Sequence, residues 1–403
     1  MDHPDVVVIG AGISGLSFAW KAAQAGKQVL VLEKQNRIGG CIYSYRYSDG
    51  FWYELGAHTV YNSYSGFLDI AVGAGLAERL VQRGPARAHF GLLKKGKIDW
   101  LTPPKVLMRL NWFEAALHAP FGIMRSKRGR TVEQYYSGIL GSGNFRKILS
   151  PFFAAVPSQC ADAFPVEGPG SLFKTRSRRE EFPRSFGFPG GIQAVCDAIA
   201  AHPHIEIRTG ADVVGLQASE DGVRVRLAQG EDIRASVTAL AATSAAAMTL
   251  LHDSFPRLSA VLNRIQTVSL ESLGTRIARS KCRMPDCAFV VPVDDVFYSA
   301  VTRDPFPDSN WRAFAFHFRT GLTIEQKVKR MCEVLGVGPE DLDGLEEKQT
   351  TLPAPRLNQA DIVAEIQKQL GRSKFALLGN YFAGLAIEDC ITRSFDEWQR
   401  VNR

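Results

Sequence analysis

Three glycines and an acid carry the first chemical signal in this 403-residue chain. Gly10-Ala11-Gly12-Ile13-Ser14-Gly15 follows a short apolar run, and Glu33 stands eighteen positions beyond Gly15. At this spacing Gly10 permits a tight turn, Gly12 lets backbone approach a pyrophosphate, and Gly15 lets a helix close onto a strand. A carboxylate at Glu33 accepts both hydroxyls of a ribose and disfavours a 2′-phosphate. The pattern is that of an adenine dinucleotide site, and by itself it leaves NAD and FAD equally open.

These groups work only on the right elements. Residues 5–9 (Asp-Val-Val-Val-Ile) read as a strand buried on both faces, and residues 16–25 as a helix ended by Gly26. Residues 28–32 form a second apolar strand that delivers Glu33. The free amides and partial positive charge of the helix N-terminus complete the phosphate site.

Further along, Glu33-Lys34-Gln-Asn-Arg37-Ile-Gly39-Gly40-Cys41 adds an arginine able to bond a phosphate and two glycines that admit close backbone contact. Gly50-Phe-Trp-Tyr-Glu54-Leu-Gly56-Ala57-His58-Thr59-Val60 follows. With this string the chain resembles the flavin-containing amine oxidase and protoporphyrinogen oxidase superfamily, in which such a block binds FAD. A third block lies at the far end: Phe375-Ala-Leu-Leu, then Gly379-Asn380-Tyr381-Phe-Ala-Gly384-Leu385-Ala386-Ile387-Glu-Asp389-Cys390. It resembles the C-terminal flavin signature of the protoporphyrinogen oxidase branch. The resemblance implies that Leu385, Ala386 and Ile387 lie against the isoalloxazine, and that the backbone of Val213 meets the adenine. A helix running from Gly384 to about Val401 would point its N-terminus at charge building on reduced flavin.

The resemblance implies an α/β fold: a Rossmann-type FAD-binding domain of the glutathione-reductase kind with an inserted α+β substrate domain. The FAD-binding domain is expected to be discontinuous, over 1–65, 185–248 and 352–403, with 66–184 and 249–351 forming the substrate domain. Between the ends, Gly190-Gly191 leads a short helix, and residues 205–208 and 211–216 read as strands; 223–227, after an Asp221-Gly222 turn, and 233–240 complete a small meander. Gly73-Ala-Gly75 lacks a third glycine, so no separate nicotinamide site is expected.

Composition sets the outer limits. With 45% hydrophobic and 22% charged residues the chain is an ordinary globular one, neither collagen-like nor low-complexity. Forty-eight basic against 41 acidic residues give +7, a small bias toward acidic partners. Seven scattered cysteines, without a C-x-x-C pair, read as reduced and mostly buried thiols. The polar start and the lack of a long apolar run point to a cytoplasmic protein. No nucleic-acid motif occurs.

Two segments admit two readings each. Residues 100–124 are rich in Leu, Trp, Phe and Met and flanked by Lys94, Lys95, Lys97, Arg125, Lys127, Arg128 and Arg130. The first reading is a buried domain helix, the second a peripheral membrane contact that collects a lipophilic substrate. Residues 174–184, with Lys174, Arg176, Arg178, Arg179 and Arg184, read first as a solvated loop and second as a site for an anionic group.

The resemblance implies an FAD-dependent oxidoreductase that takes hydride to flavin N5 from a bulky cyclic or lipophilic small molecule, with oxygen or a quinone as acceptor. An amine oxidase proper, or an isoprenoid or carotenoid desaturase, is the alternative. The family branch carries Gly-Pro-Arg where this chain has Gly56-Ala57-His58, which removes one partner for a propionate. UDP-galactopyranose mutase, a non-redox flavoenzyme with a Gly-Pro-His block, is the alternative of another class, and a flavoprotein serving only as scaffold is a further one. His58 reads first as a structural donor and second as a catalytic group with a near-neutral pKa. No catalytic residue beyond it, and no metal site, is expected.

Overall fold

A computed structural model describes residues 3–122, 124–219 and 222–403. Asp221, expected in the turn before Gly222, lies outside them, as do Met1 and Asp2 of the polar start.

Four apolar residues in succession at Val6–Ile9 leave no polar face, so this strand must be covered on both sides. Val6 and Val8 enter one core with Leu16, Ala19 and Ile391, while Val7 and Ile9 enter a second with Leu251, Leu262 and Ile366. Val29–Glu33 repeats the alternation, with Val29 and Val31 on the first side and Leu30 and Leu32 on the second. Each such side chain stabilises the fold by roughly 1.5–3 kcal/mol.

The sheet they build is parallel throughout, in the order Ile205–Thr209, Val29–Glu33, Val6–Ile9, Val237–Leu240, Phe375–Leu377. The chain leaves Val6–Ile9 first to one side and later returns on the other. The connections therefore part at its carboxyl end and leave a crevice there, where doubly wound sheets bind their ligands. Helices Ile13–Gln24 and Ile387–Val401 cover one face. The meander of Val213–Ser219, Gly222–Leu227 and Asp232–Ala235 covers the other, with helices Ser244–Leu251, Pro256–Leu262 and Gln359–Leu370. The expected boundary at 248 thus falls inside a helix packed on this sheet.

The run 233–240 is not one strand of the meander. Asp232–Ala235 pairs with Gly222–Leu227, and after Ser236 the chain enters the parallel sheet as Val237–Leu240. Side-chain polarity dictates the split. Asp232 and Arg234 alternate outward, whereas all four residues of Val237–Leu240 are buried.

A second sheet has seven strands: Asp343–Pro353, Thr267–Ala278, Trp311–Arg319, Phe297–Thr302, Phe289–Pro292, Phe90–Lys94 and Lys97–Leu101. One face carries Leu273, Phe297, Phe316 and Phe318 onto Met331 and Leu335 of helix Ile324–Leu335. By the period of two, the opposite face presents Ser272, Ser299 and His317 to a cavity shared with the parallel sheet.

The segment 100–124 departs from its first reading. It forms two short helices, Pro103–Met108 and Trp112–Gly122, rather than one buried helix. Only Leu110 and Ala115 turn into the protein among its apolar residues between Pro103 and Leu117 that are fully covered. Leu107, Met108, Trp112, Phe113 and Leu117 are all more than half exposed, as is Met124.

Candidate active site

The glycine turn sits at the crevice. Gly10 has a φ of +101°, and a Cβ there would meet the Ala241 carbonyl oxygen at 2.5 Å. A Cβ on Gly15 would lie 1.9 Å from the Gly10 oxygen. Gly12 differs: the nearest atom to its Cβ position is the Gly40 Cα at 3.8 Å. Space is kept open there, and no side chain caps the helix that Gly12 begins.

Neighbouring segments brace this turn. The Ala11 N–H donates to the Glu33 carboxylate at 2.7 Å, and the Gly39 N–H donates to the Ala11 carbonyl at 2.7 Å. The other Glu33 oxygen accepts from the Gln35 N–H at 2.9 Å. Arg37 donates to the carbonyls of Ile38, Ile42 and Gly40 and lies over the Tyr43 ring, so its first duty is to hold the Gly39–Gly40 loop. Lys34 pairs with Asp212, which precedes the buried Val213.

The C-terminal block closes the opposite wall. Helix Ile387–Val401 begins after Ala386 rather than directly after Gly384, and no side chain caps it. Asp389 in its first turn accepts from Lys174 at 2.8 Å and Arg176 at 2.7 Å. Lys174 also donates to the Ala383 carbonyl. Residues 174–176 are therefore tied into the wall and are not part of a solvated loop. Glu388 turns away and accepts from the Gly66 and Phe67 N–H groups.

Among the expected site residues, Gly10, Gly12, Ile13, Ser14, Glu33, Lys34, Arg37, Gly40 and Cys41 all border one cavity of about 1780 Å³. So do Gly56, Ala57, His58, Thr59, Val213, Asn380, Leu385, Ala386 and Ile387. Ala11, Gly15, Gly39 and Gly384 stand behind this wall and shape it. A single drug-sized ligand takes roughly 300–1,000 Å³, so this volume admits a dinucleotide and a second molecule.

The floor holds residues that the sequence did not single out. His58 Nε2 lies 2.6 Å from His317 Nε2, and His317 Nδ1 lies 2.7 Å from Ser272 Oγ. In sheet register, Ser272 faces Lys348 on one side and His317 on the other, and His317 faces Ser299 beyond. Lys348 donates to the carbonyls of Gly40 and Cys41 at 2.8 and 3.3 Å. Burial, and after it the charge of Lys348, pushes His317 down to about 4. His58 is held well below its ordinary value by burial, and then by His317, Arg83 and Lys348. Burial brings Lys348 down to about 8. One signal was available for this row. In Phe316-His317-Phe318 the period of two sets a histidine on the face opposite two phenylalanines.

FAD fits this wall on two grounds: the open space at Gly12, where a Cβ would stand between backbone and ligand, and the uncapped helix behind it. Among the described residues no cluster of His, Cys, Asp and Glu suits a metal ion. All seven cysteines are free, five of them buried.

Comparison with known proteins agrees. The family model for flavin containing amine oxidoreductase matches residues 13–275. A 15-cis-phytoene desaturase of Narcissus pseudonarcissus is 38% identical over 103 residues, which cover 26% of this chain and 18% of that protein. A chloroplastic protoporphyrinogen oxidase of Nicotiana tabacum is 32% identical over 162 residues, covering 38% and 29%. The chain thus spans less than a third of the length of these two relatives. The crystal structure of reduced UDP-galactopyranose mutase superposes with a TM-score of 0.75 at 16% identity, covering 99% of this chain and 95% of that one, a likeness of fold. The family match over more than half the chain, joined to the glycine turn and the C-terminal wall, places this protein in the flavin containing amine oxidoreductase family.

Proposed function

We propose that the protein oxidises a bulky, lipophilic small molecule, of the kind acted on by a protoporphyrinogen oxidase or a desaturase, with oxygen or a quinone as the final acceptor. The observation that carries this reading is the cavity beyond the flavin wall, lined by Phe152, Val156, Phe164, Phe173, Phe289 and Leu270. Such a lining suits an extended apolar or macrocyclic donor better than a small charged amine.

In this reading the amides of the helix behind Gly12 would hold the pyrophosphate, Glu33 the ribose and the Val213 backbone the adenine. Leu385, Ala386 and Ile387 would lie against the ring system. Bound flavin supplies hydride acceptance from carbon. The chain's own part is to orient the donor between the aromatic wall and the polar row Ser272–His317–Ser299, and to keep bulk water from the reacting carbon.

The partner surface belongs to the same proposal. Pro103, Val156 and Phe173 border the cavity, and Leu107, Met108, Trp112, Phe113 and Leu117 stand exposed on the two short helices that follow Pro103. Lys94, Lys95 and Lys97 precede this patch, and Arg125, Lys127, Arg128 and Arg130 follow it. An apolar patch rimmed by cations fits an anionic bilayer surface, from which a lipophilic donor reaches the cavity directly. Among the described residues no helix is long and apolar enough to cross a membrane.

The test is anaerobic flavin bleaching by a panel: protoporphyrinogen IX, phytoene in detergent, putrescine and L-tryptophan. Bleaching by either of the first two supports the proposal, and bleaching by an amine alone overturns it. For the surface, sedimentation with phosphatidylglycerol vesicles should fall at least tenfold in Trp112→Glu/Phe113→Glu. Equal sedimentation of the variant, or none by the native protein, refutes the membrane reading.

A further inference from the structure

Two neutral histidines facing each other across 2.6 Å on a cavity wall call for a reason. Both rings are boxed in by cations rather than acids. Arg83, next to strand Val81–Gln82, acts on His58, and Lys348 on strand Asp343–Pro353 acts on both rings. The nearest acid on the neighbouring hairpin strand Trp52–Glu54 is Glu54, itself pushed up to about 7 by burial, and its carboxylate accepts from Ser44 and the Ile192 N–H. A structural imidazole would be satisfied by one carbonyl or carboxylate. Here each Nε2 faces the other ring, so one imidazole must donate and the other accept.

The geometry allows one fully bonded neutral arrangement with a free acceptor. His317 Nδ1–H donates to Ser272 Oγ, His58 Nε2–H donates to His317 Nε2, and the lone pair left over is on His58 Nδ1. That atom has no hydrogen-bond partner among the described residues, and the His58 side chain borders the cavity. One strand over, in register with His317, Ser299 Oγ is buried without a partner and borders the same cavity.

We propose that His58 is the proton acceptor of the oxidation, with His317 and Ser272 as positioning residues that fix its tautomer and share the proton it takes. The inference rests on the oxidoreductase reading above and deepens it. Taking two hydrogens from a donor H–C–X–H, where X is carbon or nitrogen, breaks two bonds to hydrogen and forms C=X. The C–H bonding pair leaves with its hydrogen as hydride to the flavin, and the proton on X goes to His58 Nδ1. The flavin is reduced, the donor is oxidised, and the proton is then shared along N⁺–H···N between the two rings, a charge-assisted bond stronger than the neutral one it replaces. Burial first, and after it the surrounding cations, keeps the pair unprotonated before the donor arrives, which a base requires. Ser299 Oγ is placed to orient a hydrogen-bonding group on X.

Two measurements on the FAD-loaded protein decide this. In the first, histidine is labelled with ¹⁵N and followed by NMR from pH 5 to 8. Both rings should be neutral at pH 7, with His58 protonated on Nε2 and one strongly downfield proton between the rings. His317→Phe should abolish that signal, and Ser272→Ala, a milder change, should alter the tautomer. A positive charge on either ring at pH 7, or a proton fixed on His58 Nδ1, overturns the assignment without any substrate. In the second, His58→Ala should slow flavin reduction by the bleaching donor about 10²–10⁴-fold, as loss of a general base does. Rates are compared at saturating FAD, so that any change in flavin loading is separated from the rate, and added imidazole should restore part of the rate. Native rates in the variant overturn the role. If no donor in the panel bleaches the flavin, the function fails, and the NMR result still rules for or against the pair.

Discussion

Two glycines three residues apart in the same turn, Gly12 and Gly15, should fail in opposite ways when given a methyl group. At Gly15 the added Cβ would sit 1.9 Å from the Gly10 carbonyl oxygen, with Val8 Cγ1 at 3.1 Å and Ala241 Cβ at 3.2 Å. Ordinary contact begins near 3.4 Å, so helix and turn must part by about 1.5 Å against backbone that cannot rotate away. Over-packing of this kind costs about 1–3 kcal/mol. A gain of about 1 kcal/mol in helix propensity offsets only part of it. At Gly12 the same methyl meets nothing nearer than 3.8 Å, and φ is −72°, which alanine adopts freely. Gly12→Ala should therefore leave the FAD-free protein as stable as the native one, within about 0.5 kcal/mol. In the proposed site its methyl would stand where the pyrophosphate approaches, so one or two charge-assisted bonds of about 1.5–3 kcal/mol each would be lost. Affinity for FAD should fall by about 10- to 10,000-fold. Urea unfolding of the FAD-free proteins and titration with FAD separate the two effects. Native FAD affinity in Gly12→Ala would refute the claim that this backbone approaches the dinucleotide. An unaltered unfolding midpoint in Gly15→Ala would refute the packing argument.

Other perturbations follow from buried charge. Glu54 is pushed up to about 7 from 4.5 by burial, so its contribution to stability is full below pH 4.5 and is lost as pH rises through 7. Between pH 5 and 8 the native protein should lose about 2–3 kcal/mol relative to Glu54→Gln, which keeps the bond from Ile192; parallel urea curves at both pH values would deny it. Asp389→Asn leaves Lys174 and Arg176 facing a neutral amide in a mostly covered site, which should cost about 2–3 kcal/mol and open residues 170–176 to proteolysis. Unchanged digestion there would show that the pair does not hold the wall.

How much of this was readable in advance depends on distance along the chain. The glycine turn, Glu33 and the 28–32 strand were legible because each acts within some thirty residues, where spacing and helix signals suffice. The row Lys348–Ser272–His317–Ser299 was not, because three strand registers assemble it and the strands come from separate segments. Only the alternation in Phe316-His317-Phe318 hinted at it. The run 233–240 was misread for a related reason. Apolar content shows that a segment is buried but not which sheet buries it, and the break at Ser236 leaves no turn signature. Residues 100–124 misled in the other direction. Apolar residues at helical spacing normally face inward, and here Trp112 and Phe113 face out, so composition described the segment correctly while the assumption about its surroundings did not.

The C-terminal helix shows how an expectation from local sequence depends on distant partners. Its first turn holds two acids, Glu388 and Asp389, next to the N-terminus proposed to face the flavin. Standing free, they would oppose any negative charge gathered there and undo the benefit of the helix dipole. Neither stands free. Glu388 is drawn off to the N–H groups of Gly66 and Phe67, which begin helix Ser65–Gly73, and Asp389 is matched by Lys174 and Arg176 from a segment more than two hundred residues earlier. With both acids engaged, the uncapped amides after Ala386 keep their partial positive charge toward the cavity. The basic stretch at 174–176 thus acts on the flavin wall through Asp389, by removing a repulsion rather than by binding an anion itself.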